Sequence, residues 1–452
     1  MTHQSIGIVP DLKISTLSQA YANGLKPSEL IAQLIPLLAV QDCGHANDDS
    51  HQVWISRFDD ATLLTMARHL DGKDHASLPL YGIPFAIKDN IDVAGLPTTA
   101  ACPAFAYEPE KNAFVVQKLI DAGAIPLGKA NLDQFATGLN GTRSPYGVAK
   151  NSINADYISG GSSSGSALAV ALGLASFSLG TDTAGSGRVP AAFNALVGVK
   201  PSCGLLSASG VVPACRTLDC LSIFTLTPSD AEVVLNIAAG FDLIDVYSQH
   251  FEPTTKAAIK VIGVPRADQL NFFGDHGYAA LFEQAKLTAQ AKNFQLIEID
   301  FEPFIAAANL LYAGPWVAER YQVIAELLAS KPEEVLPVIR HIVEPAQYIS
   351  AAQTFKAFYQ LAEYKRQCDA ILASVDAILT PTAGTIYTVW QMQANPLVLN
   401  SNLGYYTNFM NLLDYSALAI PAGQRDDGLP FGVTFFAQAG RDWDLLEVAK
   451  RW

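Results

Sequence analysis

Apolar residues along this chain change their spacing twice. Near the start they recur at helical intervals. Leu17 to Ala22 is a short helix stopped at Gly24; Pro27 then stands at a first-turn position, and Leu30, Ile31, Leu34, Leu37 and Leu38 form one stripe. Leu63, Leu64, Met66, Ala67 and Leu70 form another, ended by Asp71-Gly72. From Leu80 the stripes give way to short apolar runs between turns. Tyr81 to Val93 reads as a strand leaving a turn, with Lys88 near its end. A helix from Ala113 to Asp121, a strand from Ala124 to Leu127, a short helix around Leu132, and strands at Ala175–Leu179 and Ala195–Lys200 follow. A second region begins between Ile223 and Lys260, with a strand from Lys260, a helix from Tyr278 to Ala291 and a strand from Gln295 to Ile299. Helices then dominate from Phe304 to Leu372, before strands at Ala377, Ala417 and Phe431 and a closing helix over Asp442–Arg451.

Alternation of this kind predicts an α/β fold, a large sheet covered by helices. No internal repeat, low-complexity tract or flexible linker interrupts it. A single unit over 1–452 is therefore expected: an N-terminal helical segment to about residue 75, a core over about 76–225 and a second half over about 226–452.

Two clusters of glycine and serine break the apolar pattern. Tyr157-Ile-Ser-Gly-Gly-Ser-Ser-Ser-Gly-Ser166 opens an Ala- and Leu-rich helix, Gly165 to Gly173, and Gly180-Thr-Asp-Thr-Ala-Gly-Ser-Gly-Arg188 follows the strand that ends at Leu179. Glycines at such turns let backbone N–H groups approach a ligand, and the serines add unencumbered hydroxyls.

Composition narrows what this chemistry serves. Half of the 452 residues are hydrophobic and the formal net charge is −14, with no basic cluster, which argues against nucleic acid. The most apolar stretch, Ala167 to Leu179, is too short to cross a bilayer. Met1 to Leu12 lacks the basic start and apolar run of a secretory signal, and the six cysteines are scattered, so a reduced, cytoplasmic chain is expected. Cys203, Cys215 and Cys220 lack Cys-x-x-Cys spacing and a nearby histidine, so neither a metal nor another cofactor is expected.

A hydroxyl nucleophile needs a base. No histidine occurs between His75 and His250, which leaves the Gly-x-Ser-x-Gly pentapeptide Gly161–Gly165 without the histidine of a hydrolase elbow. Lys88, closing the apolar run Ile83-Pro-Phe-Ala-Ile, is the alternative, although a lysine beside Asp89 and Asp92 also fits a surface ion pair. As a base near neutral pH it would need a pKa drop of roughly three units, about 4 kcal/mol, which desolvation can supply.

Together these stretches resemble the amidase signature family of serine hydrolases. The likeness rests on Gly160–Ser166, Gly180–Arg188, Gly82–Asn90 and Gly198-Val-Lys-Pro-Ser202, with 74 residues from Lys88 to Ser162 and 24 from Ser162 to Ser186. The resemblance implies the amidase-signature fold, with a mixed sheet between helices, and a Ser-cisSer-Lys triad. Ser186 would be nucleophile, Ser162 the bridging serine on a cis peptide, and Lys88 the base. It also implies an oxyanion hole from the N–H groups of Thr183, Ala184, Gly185 and Ser186. Asp182 and Arg188 would hold the loop as an ion pair, with Ser163, Ser164 and Ser166 as scaffold.

Four further segments, around Ala94–Tyr107, Asn131–Tyr146, Gly210–Cys220 and Leu311–Tyr321, resemble allophanate hydrolases. That likeness implies a small anionic amide as substrate, with Arg320 clamping its carboxylate and Tyr312 as hydroxyl partner. Arg143 and Arg216 are lesser candidates; an ordinary surface contact between Tyr312 and Arg320 on one helix is the plain alternative. A homodimer is implied by the family alone. Such enzymes carry a further C-terminal domain, absent before Trp452, so the chain is expected to perform only ammonia release. The rival readings are another amidase or the A subunit of a glutamine-dependent amidotransferase; in a different class, the rival is a non-catalytic anion-binding module.

Overall fold

The computed structural model describes residues 11–43, 50–252 and 258–452. The signal reading at Met1–Leu12 falls almost wholly outside them, as does part of the boundary before Lys260. Eleven strands form one mixed sheet: β1 (Trp54–Arg57), β2 (Pro84–Lys88), β3 (Ile125–Ala130), β4 (Phe177–Asp182), β5 (Val197–Lys200), β6 (Cys220–Thr225), β7 (Val261–Pro265), β8 (Gln295–Ile299), β9 (Ala377–Pro381), β10 (Tyr415–Gln424) and β11 (Pro430–Gln438). Their order is β1-β3-β2-β4-β6-β5-β10-β11-β9-β7-β8. The sheet thus crosses without interruption from the residues before about 225 to those after.

β2 pairs in parallel with both β3 and β4, whereas β6 runs antiparallel to β4 and β5. The chain leaves β2 for β3 on one side and returns to β4 on the other, so the carboxyl ends of β2 and β4 flank a topological switch point. In open α/β sheets such a crevice receives ligands. Every residue of β2, β3, β4, β5 and β6 is buried, as expected of strands covered on both faces.

Most expected elements form with shifted ends. The strand expected over Tyr81–Val93 starts at Pro84 and stops at Lys88, and the Gly/Ser helix spans Ser164–Ala171. The short helix around Leu132 is a 3-10 turn, Gln134–Ala136, containing Phe135 at φ 51. Two strands lie outside the sequence expectation, β1 and β6. β6, Cys-Leu-Ser-Ile-Phe-Thr, falls where the sequence pattern puts the edge of the second region. Buried on both faces, it shows no alternation, and its place between β4 and β5 is set by partners distant in sequence. The helix after it, Pro228–Ala238, is capped by Thr227 Oγ1, which accepts the Asp230 N–H at 3.1 Å.

Close packing between β5 and the loop after β4 depends on Gly198. A Cβ there would lie 2.3 Å from the Gly187 carbonyl oxygen and 2.6 Å from Ala191 Cβ. Gly198→Ala is expected to destabilise the chain by about 1–3 kcal/mol through overpacking, read as a lower midpoint in chemical denaturation; an unchanged midpoint would mean that this loop moves freely.

Candidate active site

Lys88 ends β2 with its side chain wholly buried. Its Nζ stands 2.7 Å from Ser162 Oγ, and Ser162 Oγ stands 3.0 Å from Ser186 Oγ, so the three heteroatoms form one continuous chain. Ser162 follows a cis peptide from Gly161. Ser162 is fully buried and Ser186 only 3% exposed, so the three groups are shielded from bulk water. A second partner of the lysine, Thr181 Oγ1 at 2.8 Å, escaped sequence reading. Strand alternation turns Thr181 and Asp182 to opposite faces at the end of β4, a signal already present in Gly180-Thr-Asp.

The lysine is electrostatically tuned. Burial brings its pKa down to about 7, against the raising influence of the Asp133, Asp219 and Asp182 charges, while Arg320 adds to the lowering. None of the three carboxylates is an ion-pair partner of Lys88, because each is engaged elsewhere. Asp133 accepts the backbone N–H groups of Asn140, Gly141 and Arg143 at 3.1, 3.1 and 2.9 Å. Asp219 Oδ1 accepts the Thr183 hydroxyl at 2.5 Å, and its Oδ2 the Ala214 N–H at 2.6 Å. Asp182 forms a two-pronged pair with Arg188, with Nε and Nη2 both at 2.9 Å, and both residues are wholly buried.

Asp182 also organises the loop carrying Ser186. Its carboxylate accepts the N–H groups of Gly185 and Gly187 at 2.9 Å each. Of the four expected oxyanion donors, Gly185 is therefore already committed, whereas the N–H groups of Thr183, Ala184 and Ser186 have no hydrogen-bond acceptor among the described residues. Gly185 sits at φ +128, and a Cβ would press on Thr407 Oγ1 at 2.4 Å. Thr407 in turn donates to the Ala184 carbonyl at 2.6 Å, and Asn411 Nδ2 to the Asp182 carbonyl at 2.7 Å. The neighbouring serines act as struts: Ser163 Oγ donates to Thr181 O at 3.0 Å and Ser166 Oγ to Leu179 O at 2.9 Å.

Tyr312 and Arg320 lie on two helices, Glu302–Ala313 and Val317–Ser330, separated by Gly314-Pro315-Trp316. The single-helix surface contact does not occur. The Arg320 guanidinium sits 5.5 Å from the Tyr312 ring centroid and is 4% exposed. Its Nη1 donates to Ala136 O and Thr137 Oγ1 at 3.2 and 2.9 Å, and its Nη2 has no acceptor. Arg143 is equally buried; it donates to the Thr137 and Pro396 carbonyls, and its Nε has no acceptor. Arg216 lies apart, exposed over the Tyr247 ring, which removes it from this group. A cavity of about 430 Å³ opens beside Arg143, Tyr312, Val317 and Asn400. A larger one of about 690 Å³ near Tyr157 and Arg425 contains none of these groups, so volume alone does not locate the chemistry. Among the described residues no three His, Cys, Asp or Glu side chains group as metal ligands, and no helix is long and apolar enough to cross a membrane.

This hydroxyl–hydroxyl–amine relay, set in a mixed eleven-stranded sheet, defines an amidase. The amidase family profile matches residues 40–446, and the chain belongs to the amidase family of amidohydrolases. More particularly, it is 47% identical over 406 residues to the urea amidolyase of Saccharomyces cerevisiae, covering 88% of this chain and 22% of that protein. The chain thus spans less than a quarter of that relative's length. The A subunit of the glutamyl-tRNA(Gln) amidotransferase of Treponema pallidum is 31% identical over 423 residues, covering 84% of this chain and 83% of that protein. The allophanate hydrolase of Kluyveromyces lactis superposes with a TM-score of 0.92 at 40% identity, over 98% of this chain and 72% of that one.

Only neutral Lys88 can accept a proton, so kcat/KM is expected to rise with pH along a limb centred near 7. Asp133→Asn removes a charge that favours the ammonium and is expected to move that limb to lower pH. A limb that stayed in place would dissociate it from Lys88.

Proposed function

We propose that this chain hydrolyses the terminal amide of allophanate, releasing ammonia. The observation that carries the substrate is the pair of buried guanidiniums, Arg320 and Arg143, each with an N–H that has no protein acceptor. Both are anchored on Thr137, one on its hydroxyl and one on its carbonyl. Unsatisfied buried cationic donors are costly, and a substrate carboxylate would satisfy them. The likeness to allophanate hydrolase in both sequence and fold supports the same reading.

In the proposed reaction Ser186 Oγ attacks the carbamoyl carbon while its proton passes to Ser162 and the Ser162 proton to Lys88. Negative charge develops on the carbonyl oxygen, towards the N–H groups of Thr183, Ala184 and Ser186. The relay then runs backwards, the proton reaches the leaving nitrogen, ammonia departs, and an acyl-enzyme on Ser186 remains. Water activated through the same relay cleaves that ester to give N-carboxycarbamate. Arg320 and Tyr312 hold the carboxylate at the far end, with Arg143 as a second cation.

Ser186→Ala is expected to abolish ammonia release and labelling by a fluorophosphonate; persistent labelling elsewhere with turnover intact would remove Ser186 from the mechanism. The purified chain should release ammonia from allophanate and not from glutamine, and the reverse preference would favour the amidotransferase reading that the Treponema relative suggests. Arg320→Ala should raise KM far more than it lowers kcat. If kcat/KM for allophanate stayed within about twofold, under ~0.5 kcal/mol, the clamp would be lost as an explanation.

A further inference from the structure

Beneath the Ser186 loop lies a second cluster of reactive groups for which the amide chemistry has no use. Lys200 ends β5 and is wholly buried. Its Nζ donates to the Pro201 carbonyl at 2.6 Å and contacts Cys220 Sγ at 3.5 Å. No carboxylate of the described residues lies within 4.0 Å of it, so the sulfur is the nearest group able to carry its counter-charge. A buried ammonium without an anion is strongly disfavoured. Burial by itself would push Lys200 down; the Cys220 sulfur, the largest opposing influence, reverses this and holds the lysine above its usual value.

Cys220 begins β6 and is 2% exposed, and its Sγ stands 3.5 Å from that of Cys203. Its hydrogen bond with Cys203 holds its thiol below the usual range against burial, and the Lys200 charge adds to that lowering. Cys203 is half-buried and is the more accessible residue of the pair. The remaining cysteines are not placed like this: Cys215, for example, is buried with its Sγ against the Trp316 carbonyl.

We propose that Cys203 and Cys220 are a reversible oxidation site for peroxide, with Lys200 holding the reacting sulfur as thiolate. The Cys220 thiolate attacks one peroxide oxygen, breaking the O–O bond, and becomes a sulfenic acid as hydroxide leaves. The Cys203 thiol then displaces hydroxide from that sulfur, forming the disulfide and water. The proton that Cys220 gave to Lys200 returns to the first hydroxide, so in sum two thiols lose two hydrogens and hydrogen peroxide becomes two waters. The pair is coupled to the amidase site. Cys220 lies opposite Asp182 in the β4–β6 ladder, and Asn411 Nδ2 joins the carbonyls of Asp182 and Leu218 directly above the sulfur. Disulfide formation takes away the counter-charge of Lys200, next to the carboxylate that positions Gly185 and Gly187.

The test is graded hydrogen peroxide treatment of the whole chain, followed by alkylation, non-reducing peptide mapping and an ammonia-release assay. The expected product is a peptide joining Cys203 to Cys220, formed before the other cysteines react, with turnover falling as it accumulates and returning after dithiothreitol. Cys203→Ser should keep basal turnover and lose both the cross-link and the recovery. Lys200→Met should slow cross-linking if it folds; the wild-type peptide map decides without it. Both thiols remaining alkylatable while Cys43, the other half-buried cysteine, oxidises would overturn the proposal. So would a cross-link that forms without changing turnover, as far as the link to the amidase site is concerned. The peptide map does not depend on the substrate, so its failure is separate from any failure of the allophanate reading.

Discussion

The amine of Lys88 is removed from water at the end of a fully buried strand, and most of the site follows from the cost of charging it there. Desolvation acting alone would lower its pKa further and make it a weaker acceptor of a proton. Three aspartates lean the other way, yet each is held by other donors: Asp133 by backbone N–H groups, Asp219 by Thr183 and Ala214, Asp182 by Arg188. They are near enough to favour its protonated form, partly offsetting burial, and too committed to trap it as an ion pair. A direct carboxylate contact would raise its pKa and remove the base.

That balance requires segments far apart in sequence to meet. The parallel strands β2 and β4 put Lys88 and Thr181 side by side at a switch point of the sheet, where connections diverge and a crevice opens. The Ser186 loop is gripped from below by Asp182 and from the side by Thr407 and Asn411, more than two hundred residues downstream. A rigid loop matters because oxyanion donors assist only if they already point at the position where charge will form. Asp182 secures this by using one possible donor, Gly185, to fix the others.

The acidic surface and the proposed anion-binding end of the site are reconciled locally. A chain with a net charge of −14 repels anions at a distance, but Arg143 and Arg320 are deeply buried and share one anchor, Thr137. In a low-dielectric setting two guanidiniums outweigh a diffuse, screened surface charge. Arg320 also depresses the pKa of Lys88, so the proposed carboxylate clamp and the buried amine are electrostatically linked.

From residues alone came the α/β alternation, the two Gly/Ser turns, the lack of any histidine near them and the turn to Lys88 as base. Those are local properties: periodicity, backbone freedom and side-chain chemistry survive in a one-dimensional reading. The family motifs added Ser162, Ser186, Tyr312 and Arg320 by position. What the line of residues did not contain was proximity. β6 was missed because a strand buried on both faces carries no alternation, and Thr181, Asp133 and Asp219 acquire their influence on Lys88 only when the chain folds around it. The same holds for Gly185, whose N–H proved to be bonded to Asp182, for Arg216, which packs on Tyr247 at the surface, and for Cys203 and Cys220, scattered in sequence yet 3.5 Å apart. Sequence specifies which groups are able to react; burial and distance, which arise only from tertiary packing, decide which of them are charged and which of them meet.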